Sequence, residues 1–162
     1  MKLLSILRHA KSSWKDAELD DHDRPLNRRG SRDAPRVGRL LREHGLLPEV
    51  ILCSTARRAR ETAGHVSREA GFPGEVRFSR RLYLARPDAY LEVLALLPDD
   101  VGHALVIGHN PGLEELLEAL VGEPHTLPTA ALALVELPLD AWSRLPGAEG
   151  RLRQLWRPKE PR

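Results

Sequence analysis

Short runs that are apolar at consecutive positions alternate along this chain with longer stretches in which apolar residues recur every three or four positions. Residues 3–7, 50–53 and 103–107 form three such runs. Each is apolar on both faces, which suits a strand buried in a parallel sheet better than a half-exposed hairpin. Weaker strand patterns occur at 76–78, 131–137 and 151–156. Between the runs lie helical patterns. From about 28 to 44, Ala34, Val37, Leu40 and Leu41 share one face, with Asn27 placed to cap the start and Gly45 to stop the end. From about 56 to 70, Ala59, Ala63, Val66 and Ala70 repeat before Gly71. Residues 87–97 carry Tyr90, Leu91, Val93, Leu94 and Leu97. Residues 111–121 set Leu113, Leu116, Leu117 and Leu120 against Glu114, Glu115 and Glu118, ending at Gly122. Strands alternating with helices of this length predict an α/β domain around a mainly parallel sheet.

The chain has 162 residues, enough for one domain with a real core and too few for two ordinary ones. A single domain over 1–162 is expected, its Arg- and Pro-rich end from about 157 forming a flexible tail. Residues 11–27 are poor in apolar positions and make one sizeable loop; loops of that length in a compact domain are more often functional than idle.

Composition narrows the function classes. With 41% hydrophobic and 30% charged residues, the chain is not a disordered tail protein. Lys+Arg exceed Asp+Glu by 25 to 23, and the arginines interleave with acids, as in Arg39, Arg42 and Glu43. Aromatics are only 4%. No basic stripe or stacking platform for nucleic acid results. The one cysteine, Cys53, excludes a disulfide framework and sits in an apolar run, where burial is expected. No run approaches eighteen apolar residues, and the apolar start breaks at Arg8 without a cleavage site. The expectation is a cytoplasmic protein that engages no membrane, as a monomer or weak dimer.

Candidate chemistry gathers where the strong strand runs end. The first runs into Arg8-His9-Ala10, the second into Ser54-Thr55-Ala56-Arg57-Arg58, the third into Gly108-His109-Asn110-Pro111-Gly112. Taken singly, each is an ordinary surface or structural feature. In open α/β sheets, however, ligands bind at the carboxyl ends of strands. If these three strands are neighbours, two imidazoles and at least two guanidiniums converge on one crevice. Such a site suits a phosphoryl group: forked arginines clamp its oxygens while a neutral imidazole nitrogen attacks phosphorus. The Gly108–Gly112 turn would add backbone N–H groups at a helix start. No metal is expected, since no pair of histidines has a zincin-like spacing with a glutamate between them and there is no second cysteine. The other histidines, at 22, 44, 65, 103 and 125, are given structural or surface roles.

These segments resemble the histidine phosphatase superfamily. Leu7-Arg8-His9-Ala10 is similar to its Arg-His-Gly signature, with Ala10 in place of glycine. Residues 23–30, Asp-Arg-Pro-Leu-Asn-Arg-Arg-Gly, resemble its Pro-Leu-Thr-x-x-Gly segment. Residues 54–62 resemble its Ser-x-x-x-Arg-Ala-x-x-Thr segment, which selects Arg58 over Arg57, and Gly108-His109-Asn110 matches the second catalytic histidine. The motifs fall in family order over about residues 3 to 120, with the SixA-type phosphohistidine phosphatases the nearest subgroup; a looser likeness continues at Thr129-Ala130-Ala131. The resemblance implies a three-layer α/β/α sandwich of the phosphoglycerate mutase-like kind, without a large inserted cap domain. It implies that His9 becomes phosphorylated, that Arg8, Arg58 and His109 bind the phosphoryl oxygens, and that no cofactor takes part. Arg24, Asn27 and Asn110 are further expected phosphate or substrate contacts.

Larger family members carry a carboxylic acid shortly after the Ser-x-x-x-Arg helix to protonate a leaving alkoxide. Here that stretch reads Arg81-Leu82-Tyr83-Leu84-Ala85. Without an acid, an alkoxide leaving group forfeits about 10²–10⁴ in rate. A labile phosphoramidate needs the help less. The expected partner is therefore a phosphohistidine-containing protein. A small phosphorylated metabolite is the alternative, and Glu61 or Asp88 would have to supply its acid. A phosphate-binding module without turnover is disfavoured by the presence of both imidazoles and both motif arginines.

Overall fold

The computed structural model describes residues 1–158; residues 159–162 of the expected tail lie outside the described residues. Its strands are β1 (Lys2–Arg8), β2 (Val50–Ser54), β3 (Val76–Ser79), β4 (His103–Gly108), β5 (Leu132–Leu137) and β6 (Arg151–Trp156). The helices are α1 (Arg28–Glu43), α2 (Arg57–Ala70), α3 (Pro87–Ala95) and α4 (Gly112–Val121). The strands form one sheet in the order β3-β2-β4-β1-β5-β6. The pairings β3–β2, β2–β4 and β4–β1 are parallel, whereas β5 and β6 are added antiparallel.

Both faces of the sheet are covered, as the doubly apolar runs require. Leu4, Ile6, Ala104 and Val106 point to one side and pack with Tyr90 and Leu94 of α3 and Leu113, Leu116 and Leu117 of α4. Leu7, Leu105, Ile107, Ile51 and Cys53 point to the other and pack with Ala34, Val37 and Leu41 of α1 and Ala59, Ala63 and Val66 of α2. The result is the three-layer sandwich, with no large inserted cap among the described residues. The helix signals operate as the pattern implies. Asn27 accepts a hydrogen bond from the Gly30 amide at the start of α1, and Gly71 and Gly122 close α2 and α4 with left-handed backbones. Cys53 is fully buried. Among the described residues, no helix is long and apolar enough to cross a membrane. Arg157, assigned from sequence to the tail, is held by hydrogen bonds from its guanidinium to the Thr126 carbonyl.

The register of the central pair positions everything that follows. Arg8 of β1 lies opposite Gly108 of β4, so His9 and His109 each follow partnered residues and leave the sheet at the same level. Parallel neighbours are about 4.8 Å apart. The long loop from 11 to 27 then wraps this edge, pinned by a bridge between Ser12 and Leu26 and by the Asn27 amide donating to the Lys11 carbonyl. Gly30 lies against that same Lys11 backbone, where a Cβ would collide with the carbonyl. Backbone cannot yield as a flexible side chain does, so Gly30→Ala is expected to destabilise by about 1–3 kcal/mol. Calorimetry should record a loss in Tm of about 2–4 °C per kcal/mol; an unchanged Tm would show that the loop is not anchored there.

Candidate active site

At the carboxyl ends of β1, β2 and β4 lies a cavity of about 240 Å³. Four cationic side chains line it, Arg8, Lys11, Arg24 and Arg58, against a single carboxylate, Asp21. His9, Ser12, His109, Asn110 and Thr129 add to its polar wall. The rings of His9 and His109 have centroids 5.2 Å apart and are tilted by 53°. A more apolar groove of about 270 Å³ lies along α1, β5 and β6, with walls that include Val37, Leu40, Leu132 and Trp156. It holds no comparable convergence of donors.

Each member of the cluster is held from behind. His9 Nδ1 lies 2.7 Å from the Ala10 carbonyl, an acceptor only, so this nitrogen carries the proton and Nε2 keeps its lone pair. Ala10 stands where the resembled signature has glycine. Its backbone is not among the left-handed residues and its amide donates to Thr62 Oγ1, so a methyl group is accommodated. Thr62 in turn donates to the Arg58 carbonyl, which explains why a threonine belongs one turn after that arginine. Arg8 is steadied by Nη1 donating to the Leu127 carbonyl. Arg58 sends Nη1 and Nη2 to the carbonyl oxygen and carboxylate of Asp21. The Nε atoms of Arg8 and Arg58 are buried without an acceptor among the described residues. A buried donor left unsatisfied costs about 1–3 kcal/mol, and more when charged. With four cationic side chains against one carboxylate, the cavity lining suits an anion.

Arg8, His9, Arg58, His109 and Asn110 are thus brought together. Arg57, the neighbour that the motif passes over, is exposed and pairs with Glu61 one turn on. Asn27 is not among the residues that line the cavity: its carboxamide oxygen caps α1. Arg24 does line the cavity, but its guanidinium binds Asp21 Oδ1 through Nε and Nη2, donates to Ser12 through Nη1, and stacks 3.5 Å from the centre of the Trp14 ring. It braces the loop. The turn after β4 also supplies less than expected, because the His109 amide donates to the Tyr90 hydroxyl.

Sequence reasoning missed Asp21 and Ser54, and gave Tyr83 no role in the site. Asp21 sits in the long loop flagged as functional, three residues before Arg24, but only the tertiary fold brings Arg58 and Tyr83 to it. Its carboxylate receives four hydrogen bonds, two from Arg24, one from Arg58 and one from Tyr83. Burial works to raise its pKa, but the hydrogen bonds from Tyr83 and Arg58 and the Arg58 charge prevail and hold it at about 2. Asp21 is therefore ionised near neutrality and has no proton to give. Tyr83 also packs edge-on against His109, with ring centroids 5.6 Å apart. The two carboxylates considered from sequence lie elsewhere. Glu61 binds the Leu26 amide and Arg57, and Asp88 is exposed in the first turn of α3.

The model for the histidine phosphatase superfamily (branch 1) matches residues 4–83. The protein described as phosphohistidine phosphatase SixA from Agrobacterium tumefaciens has 30% identity and a TM-score of 0.84, the match covering 97% of this chain and 98% of that one. The chain belongs to the histidine phosphatase superfamily. Another solved member, the protein histidine phosphatase SixA complexed with tungstate, has 25% identity and a TM-score of 0.81 over 94% of this chain and 95% of that one. An uncharacterized protein of Mycobacterium leprae is 40% identical over 119 residues, 72% of this chain and 71% of that protein. The match to a related Mycobacterium tuberculosis protein spans 63% of its length.

In this histidine phosphatase fold both imidazoles are pushed down to about 3. Burial is the main cause for each. The Arg58 and Arg8 charges add to it at His9 against the opposing hydrogen bond to Ala10, and any charge on His9 adds to it at His109. Both rings are neutral at ordinary pH. An imidazole that titrates near 6.5 in the unfolded chain and near 3 in the folded one takes up its proton on unfolding. The stability it contributes is whole above pH 6.5 and is lost as the pH falls from there toward 3. Tm should therefore decline between about pH 6.5 and 4. It should decline less steeply in a His9→Asn/His109→Asn double variant; equal slopes in scanning calorimetry would contradict the assignment.

Proposed function

We propose that the protein is a metal-independent phosphatase that forms a covalent phosphohistidine on His9 and removes phosphoryl groups from phosphohistidine in proteins. The observation that carries this reading is a free His9 Nε2 lone pair in one cavity with the guanidiniums of Arg8 and Arg58. A phosphoryl group offers three oxygens to such donors and an electrophilic centre to the lone pair. Tungstate, a tetrahedral oxyanion, binds the related SixA protein.

In the first step the His9 Nε2 lone pair forms a bond to phosphorus while the bond from phosphorus to the leaving atom breaks, and the leaving group takes that electron pair. Arg8 and Arg58 meet the charge on the transferring oxygens, with His109 beside them. Water then attacks phosphorus, the P–Nε2 bond breaks, and phosphate leaves with His9 neutral again.

The substrate class follows from what the leaving group receives. Asp21 lines the cavity but stays ionised and saturated by four donors, and Glu61 and Asp88 are engaged or placed elsewhere. An alkoxide would leave without a proton from a carboxylic acid. A phosphohistidine protonated by solvent on its far ring nitrogen leaves as neutral imidazole, far less basic than an alkoxide, and so does not require one. The names of the SixA relatives point the same way.

Activity on a phosphohistidine peptide beside a panel of sugar phosphates tests the proposal. The peptide should be turned over at least about 10²-fold faster, matching the rate an absent acid forfeits. His9→Ala should abolish turnover of both the peptide and a small activated ester, and a chelator should change neither rate. Preference for a sugar phosphate would transfer the site to a metabolite; activity surviving in His9→Ala would remove the covalent step.

A further inference from the structure

The two imidazoles are chemically alike, both neutral and buried, yet the cavity needs opposite things from them. One must present a lone pair to phosphorus and the other an N–H to a phosphoryl oxygen. The Ala10 carbonyl accounts for the first. The second is decided at Ser54, the last residue of β2, to which the chemistry above gives no part.

Ser54 is fully buried, and its Oγ lies 2.7 Å from His109 Nε2. The same oxygen accepts a hydrogen bond from the Ala56 amide at 3.2 Å. No other partner meets its side chain among the described residues, so the hydroxyl hydrogen has one acceptor within reach, Nε2 of His109. A buried hydroxyl that donated to nothing would bear the full cost of its desolvation. On the other side of the ring, Arg58 Nη2 lies 3.4 Å from His109 Nδ1. A donor there would favour the opposite proton position, with Nδ1 accepting and Nε2–H donating to Ser54. The two demands conflict, and distance separates them: 2.7 Å is an ordinary hydrogen bond, whereas 3.4 Å is beyond the usual range. Arg58 Nη2 carries two hydrogens, and its other one donates to Asp21 Oδ2 at 3.0 Å.

We infer that Ser54 is a positioning residue that donates to His109 Nε2 and so keeps the proton on Nδ1, turning the second imidazole into a hydrogen-bond donor. Nδ1 is the nitrogen on the Arg58 side, and both His109 and Arg58 line the cavity. The site then holds two neutral histidines locked in one tautomer, both Nδ1–H. The first turns its bare Nε2 inward because Ala10 holds its Nδ1. The second is free to turn its Nδ1–H inward because Ser54 holds its Nε2. A serine also suits both stages of turnover, because its oxygen can accept from Nε2–H should His109 become cationic beside a bound dianion. The kinetic consequence rests on the phosphatase reading; the proton position does not.

The test is long-range ¹H–¹⁵N correlation of the histidine rings in the free protein, near neutral pH. Wild type should show the Nδ1–H pattern at His109. In Ser54→Ala the Arg58 donor is left unopposed, and the pattern should move to Nε2–H. Ser54→Thr, which keeps the hydroxyl, should restore the wild-type pattern. Ser54→Ala should also lower kcat on an activated phosphate ester by about 10- to 100-fold, with Ser54→Thr recovering it. An Nε2–H pattern in wild type, or an Nδ1–H pattern that persists in Ser54→Ala, would overturn the inference. Neither outcome depends on the substrate, so failure of the phosphohistidine reading would register separately, as absence of peptide turnover with the ring pattern as stated.

Discussion

The parallel pairing of β1 with β4 is the constraint on which the rest of the structure depends. Because Arg8 lies opposite Gly108, the next residue on each strand projects an imidazole from the same level of the sheet. The ring separation of 5.2 Å is close to the spacing of the strands themselves. A slip of one residue would send one ring to the opposite face of the sheet. The apolar core on both faces guards against that slip. Leu4, Ile6 and Leu7 of β1 and Ala104 to Ile107 of β4 are all fully buried. Core packing and site geometry are thus enforced by the same residues.

Around that pair the protein accepts an electrostatic imbalance. Burial keeps both histidines neutral, and four cations face one carboxylate. Asp21 reduces the imbalance by drawing Arg58, Arg24 and Tyr83 together, so one residue of the long loop joins that loop to α2 and to the segment after β3. Its saturation has a chemical consequence as well as a structural one. A carboxylate held by four donors makes a rigid brace and a poor acid.

Much of this architecture could be read from the chain itself. The doubly apolar runs gave the three central strands within a residue or two, and Asn27, Gly71 and Gly122 marked helix ends by local backbone chemistry. Arg8, His9, Arg58 and His109 were legible because they directly follow strand runs and stand in motif spacing. What stayed hidden depended on contacts distant in sequence. Asp21 looks like any acid in a polar loop until Arg58 and Tyr83 reach it, and Ser54 reads as a strand end until β4 brings His109 alongside. Asn27 shows the converse error. An amide near a motif suits an anion by type, but this one was already the cap of α1. Hydrogen-bonding capacity used within the fold is invisible to a reading by residue type.

Trapping the phosphoenzyme tests most directly whether His9 acts as a nucleophile within this cluster. Enzyme quenched in alkali during turnover of a phosphorylated substrate would be digested and its peptides mapped by mass spectrometry. The account predicts an acid-labile, alkali-stable phosphoryl group on the peptide bearing His9, formed and lost as fast as the enzyme turns over. Turnover without a covalent phosphoryl group, or with one on any other residue, would contradict it.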